Sequence, residues 1–204
     1  MNSNYKVLKY KGILILLAVL MSCKTNTSDL PILSFNYIDG KKELYKIVNF
    51  EFINQDGDTI TSSSMQGKVH TMNFFFTSCP SICPPMRIKQ QDIAETFSED
   101  DNFMQYAISI DFQNDTVNKL RNYTERHHIN SEQINLLRAA SEEALKTIAN
   151  LLKTNFKPNE DGTDFYHSSF VALMDKDQFI RGFYDILLDR DVALLKEDIT
   201  RLLD

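Results

Sequence analysis

Cys79 and Cys83 stand four positions apart in FFFTSCPSICPPM, Phe74 to Met86, with Pro80, Pro84 and Pro85 around them. Two thiols at this spacing admit three chemistries: a structural staple, a redox pair or a metal clamp. A disulfide across so short a loop removes little denatured-state entropy, which disfavours the staple. The remaining cysteine, Cys23, lies far upstream at the end of an apolar run.

The pair needs elements to hold it. Val69 to Phe76 is an apolar, Phe-rich run short enough to be a buried strand. Pro84 and Pro85 suit a first helical turn, and Met86, Ile93, Ala94 and Phe97 recur at helical spacing. The cysteines therefore fall where a strand passes into a helix, the place where ligands collect in open α/β sheets. The helix N-terminus there favours thiolates, so both cysteines are expected to be reactive. A residue before proline is disfavoured in the helical region, so Pro84 is expected to hold Cys83 in the loop.

Elsewhere, FEFINQDGDTIT (Phe50 to Thr61) alternates about Asp56-Gly57 and predicts a β-hairpin. Strands are expected at Phe103–Ile110 and Ile134–Arg138, with a helix over Asp115–His127 and another capped by Ser141 with Glu142 and Glu143 in its first turn. A polar loop, Asn155 to Tyr166, leads to a second hairpin, Ser169–Met174 and Phe179–Tyr184, and a last helix carries Val192, Leu195, Ile199 and Leu202. The order is an N-terminal hairpin followed by βαβαβαββα, an α/β fold of thioredoxin-like type with a parallel portion and an antiparallel edge.

In that fold His167, in DFYHSSFVALMD, enters the penultimate strand beside the cysteine loop, where oxidoreductases usually carry a cis-proline. Two thiolates and one imidazole make a soft donor set suited to Cu(I), and able to hold Cu(II). Zinc competes for the same set, but no separate general base or substrate pocket suggests a zinc hydrolase. His127 and His128 end a predicted helix, where a cation suits the dipole, and His70 begins a strand; these read as structural. Met72, Met86, Met104 and Met174 fit core stripes rather than a methionine copper box.

The 204 residues, 43% hydrophobic, suit one globular domain. A formal charge of −6 argues against nucleic acid as a partner. Lys6, Lys9 and Lys11 precede the apolar run Gly12 to Met21, which is too short to span a membrane and ends in LMSC. This layout predicts a lipoprotein signal over residues 1–22, lipidation at Cys23, a tether and extension over residues 23–45, and an extracytoplasmic domain over residues 46–204. Cleavage removes three lysines and no acid, taking the charge from −6 to −9, so the lipid rather than charge would hold the membrane. Cys79 and Cys83 then remain as the thiols of a compartment that permits disulfides.

Three segments, FTSCPSICP at Phe76–Pro84, SIDFQNDT at Ser109–Thr116 and YHSSFVALMD at Tyr166–Asp175, make the chain resemble the Sco (SenC) family over roughly Phe50 to Leu203. The resemblance implies copper ligands at Cys79, Cys83 and His167, with Asp111 at an acidic position near the copper site but not a ligand. It implies a copper chaperone that helps mature the dinuclear copper centre of a haem-copper cytochrome oxidase by delivering copper, by reducing that centre's cysteines, or both. The alternative is a membrane-tethered thiol-disulfide oxidoreductase in which Cys79 and Cys83 are the redox pair. The chain departs from the family pattern at Ser78, Ser81, Phe112 and Gln178, which replace a histidine, an acidic residue, a proline and a turn glycine.

Overall fold

A computed structural model describes residues 30–154, 156–158 and 165–204. The predicted signal segment and Cys23 lie outside the described residues, as does the centre of the predicted polar loop.

Seven strands form the central sheet: β3 (Glu51–Asn54), β4 (Thr59–Thr61), β5 (Val69–Phe75), β6 (Phe103–Ser109), β7 (Ile134–Ala139), β10 (Phe170–Met174) and β11 (Ile180–Asp185). Their spatial order is β11-β10-β5-β6-β7-β3-β4. β5, β6 and β7 run parallel, and both flanks are antiparallel, β10 and β11 beyond β5 and β3 and β4 beyond β7. Every residue of β5 is buried, as expected for a central strand covered on both faces. Along β10, Val171 and Leu173 join one apolar cluster while Ala172 and Met174 join another, because successive strand residues point to opposite faces.

Five helices are described: the single turn α1 (Ser62–Met65), α2 (Cys83–Thr96), α3 (Val117–Arg126), α4 (Glu142–Leu151) and α5 (Asp189–Leu203). Thr116 caps α3 by accepting from the Lys119 N–H, and Ser141 caps α4 by accepting from the Ala144 N–H. Met86 and Ile93 of α2, with Phe97 at its C-cap, share a core with Val192, Leu195 and Ile199 of α5, while Leu120 and Tyr123 of α3 and Leu145 and Ile148 of α4 belong to the other cluster. Met72, Met86 and Met174 are buried among these apolar residues. The thioredoxin-like βαβαβαββα order and the hairpin at Phe50–Thr61 are as the pattern predicts.

Three details differ. The stretch before Lys46 carries an additional hairpin, β1 (Phe35–Ile38) paired with β2 (Lys41–Leu44), which turns through Asp39 and Gly40 at φ 51° and 76°. The predicted polar loop contains β8 (Phe156–Pro158) and β9 (Phe165–His167), paired so that Phe156 faces His167. Cys83 is not held outside the helix by Pro84 but opens it. Ile82 already has helical angles, φ −86° and ψ −27°, and its carbonyl accepts from the Met86 N–H at 3.1 Å, so that bond sets the helix entry before the prolines act. Gln178, standing at the turn position, takes φ 69°, the conformation a glycine would adopt more readily.

Candidate metal and thiol site

β5 ends at Phe75, and seven residues separate it from α2. The Cys79 N–H returns to the Phe76 carbonyl at 3.2 Å, closing a tight turn over Thr77 and Ser78. Cys83, in the first turn of α2, lies beneath. From the other direction, β9 delivers His167. Phe76 holds that side, packing edge-on against the rings of Phe165 at 5.3 Å and His167 at 5.8 Å.

The result is one cluster. Cys79, Cys83 and His167 each offer a donor atom, all within 4.8 Å of one another, and the three residues are 9%, 4% and 4% exposed. The His167 Nε2 faces the Cys83 Sγ at 3.4 Å, and Nδ1 lies 3.1 Å from the Ser168 carbonyl. A carbonyl can only accept, so Nδ1 carries the proton and Nε2 presents its lone pair to the sulfurs. Both cysteines are free thiols.

The two thiols are not equivalent, contrary to the expectation that the helix N-terminus activates both. Burial pushes Cys79 up, but hydrogen bonds from the Cys83 thiol, the Cys83 and Ser81 backbone and the Ser81 side chain outweigh it, and Cys79 ends below the ordinary thiol value. Burial pushes Cys83 far up, and its hydrogen bond to Cys79 and the nearby Cys79 charge add to this. The Phe76 backbone and the Arg87 charge oppose it and lose. Cys79 is therefore the more readily ionised of the two thiols and Cys83 the one that holds its proton. Ser81 sits with Oγ 3.9 Å from the Cys79 Sγ.

Asp111 does not join the donor cluster among the described residues. It is buried two residues beyond β6, where its carboxylate accepts from the Asn114 side chain at 2.8 Å and its carbonyl from the Asn114 and Asp115 N–H groups. His127 and His128 lie at the far end of α3, where their carbonyls accept from Gln91. His70 is buried on β5, its Nδ1 donating to the Lys68 carbonyl at 3.0 Å and its ring edge-on to Tyr106. None of these three histidines belongs to the cluster.

Sequence reasoning missed two residues beside the site. Arg87, one turn into α2, donates to the Tyr123 hydroxyl at 2.9 Å and places its charge near Cys83. Asp115 is fully buried and accepts from Thr77, at the start of the cysteine loop. The signal for Asp115 was its place in SIDFQNDT, but nothing local separates it from the exposed polar residues around it.

The SCO1/SenC family model matches residues 39–204. An SCO2-like protein of Rickettsia prowazekii is 30% identical over 157 residues, covering 73% of this chain and 75% of that protein. The solved structure of BsSco, described as a member of the Sco family of cytochrome c oxidase assembly proteins with a disulfide switch, has a TM-score of 0.69 at 23% identity, covering 78% of this chain and 94% of that one. That of Arabidopsis thaliana ScoI with copper bound has a TM-score of 0.62 at 26% identity, covering 74% and 96%. With that family model matching residues 39–204, well over half of its length, the chain belongs to the SCO1/SenC family.

Proposed function

We propose that this protein carries one copper ion as cargo between Cys79, Cys83 and His167 and delivers it to a cuproprotein, the copper-accepting subunit of a haem-copper cytochrome oxidase. The observation that carries the reading is the convergence of two sulfurs and one imidazole nitrogen within 4.8 Å. That donor set prefers Cu(I), and a proton must leave Cys83 when the metal binds. The fit is also supported by the copper-bound Arabidopsis relative of the same fold.

Delivery follows from the arrangement. Cys79, at the outer edge of the cluster, is the most exposed ligand, so an acceptor thiolate reaches the metal from that side. It replaces Cys79 first, then Cys83 and His167, with no change in oxidation state. A lipid on Cys23 would tether the domain to an extracytoplasmic membrane surface. Mixing copper-loaded protein with a metal-free acceptor domain tests delivery: the acceptor's copper–thiolate absorption should grow as this protein loses metal, and no transfer after many dissociation lifetimes would refute it.

The unequal thiols support a second reading, thiol-disulfide exchange. The Cys79 thiolate attacks a target disulfide and releases one target thiolate, which takes up a proton. Cys83 gives up its proton and attacks Cys79 of the mixed disulfide. The target leaves as a dithiol, and Cys79–Cys83 remains as a disulfide that has supplied both electrons. His167 is needed for the first reading and dispensable for the second.

A further inference from the structure

We propose that Asp115 is the positioning residue of the cysteine loop: its carboxylate grips Thr77 and so fixes where Cys79 sits relative to Cys83 and His167. The Asp115 side chain is 0% exposed, and it takes four donors. The Thr77 N–H reaches Oδ2 at 3.0 Å, the Thr77 hydroxyl Oδ1 at 2.5 Å, the Ser109 hydroxyl Oδ2 at 2.6 Å and the Lys119 ammonium Oδ1 at 3.1 Å. These fill the acceptor capacity of one carboxylate.

A buried charge survives only when it is paired and hydrogen-bonded in this way, and the pairing commits the donors to a single arrangement. Two of the four come from Thr77, the first corner of the turn that ends at the Cys79 N–H. This limb of the loop belongs to neither β5 nor α2, so no ladder or helical bond holds it. Asp115 instead ties it to the end of β6, through Ser109, whose Oγ also accepts from the Asp111 N–H at 3.2 Å. Capping does not account for the carboxylate, because Thr116 caps α3.

The test uses the full chain in detergent, in a Cys23→Ser background that leaves Cys79 and Cys83 as the thiols. Alkylation of Cys79 by iodoacetamide in the metal-free protein reads the loop itself. Release of Cu(I) to a chelator reads the site, and only this arm rests on the copper reading. Thr77→Val and Asp115→Asn should speed Cys79 alkylation at least about fivefold as the thiol is uncovered, and copper release at least about tenfold. Thr77→Ser, which restores the hydroxyl, should stay within about twofold of the parent in both.

Leu120→Ala removes a fully buried core side chain of α3 and serves as the destabilised control, with a lower unfolding temperature but parental rates. The proposal is overturned if Thr77→Val alkylates at the parental rate or more slowly, or if Leu120→Ala accelerates alkylation as much. Should Asp115→Asn fail to fold, the two Thr77 variants decide. A parent that holds no copper, with Thr77→Val still alkylating faster, would remove the copper reading and leave the positioning role standing.

Discussion

The Nε2 of His167 lies 3.4 Å from the Sγ of Cys83, across 84 residues of chain. The contact joins the first turn of α2 to the end of β9, so the site exists only when two separate parts of the fold are assembled. Each of the three donors is held from a different direction: Cys79 by the turn from Phe76, Cys83 by the helix and His167 by the Ser168 carbonyl and the Phe76 ring.

The thiols should differ in reactivity. In reduced, metal-free protein at neutral pH, Cys79 should be alkylated at least about tenfold faster than Cys83, because only Cys79 is stabilised as a thiolate. Mass spectrometry of quenched time points locates the label. Equal rates, or Cys83 first, would contradict the assignment of Cys79 as the attacking sulfur.

Acid should weaken the fold through His70. Burial lowers its pKa from 6.5 to about 4, against a smaller upward pull from the Lys68 carbonyl and the Asp175 charge. A histidine depressed in the folded state binds its proton more readily when unfolded, so stability is intact above pH 6.5 and is lost as the pH falls towards 4. The loss amounts to about 3 kcal/mol. His70→Phe should flatten that part of a stability-against-pH curve measured by urea unfolding. An unchanged slope in the variant would assign the acid sensitivity elsewhere.

Cys23→Ala should move the protein from the membrane fraction to a form without lipid, seen as loss of the acyl mass and of radiolabelled fatty acid. A chain that incorporates the label equally with and without Cys23 would remove the proposed anchor.

The cysteine pair was legible because its context is written locally: a run of phenylalanines makes the buried strand, and prolines mark the helix start. His167 was legible only through the fold, since no short-range pattern links it to residues 84 positions away. The β1–β2 hairpin was missed although Asp39-Gly40 repeats the turn signal of Asp56-Gly57, because β2 is exposed throughout and so shows no apolar alternation. β8 and β9 were hidden for a related reason, being three-residue strands in a polar segment. The unequal thiols and the burial of Asp115 depend on desolvation and on donors from other elements, which composition does not record.

An anaerobic Cu(I) competition titration of reduced protein decides whether Cys79, Cys83 and His167 together hold copper, with His167→Ala and Cys83→Ser measured beside the parent in a Cys23→Ser background. The parent should bind one copper per chain and both variants should bind it at least about 100-fold more weakly, with disulfide exchange retained by His167→Ala. If the parent cannot compete with the chelator, or if His167→Ala binds copper as tightly as the parent does, the three-ligand site is wrong and thiol-disulfide exchange becomes the leading function.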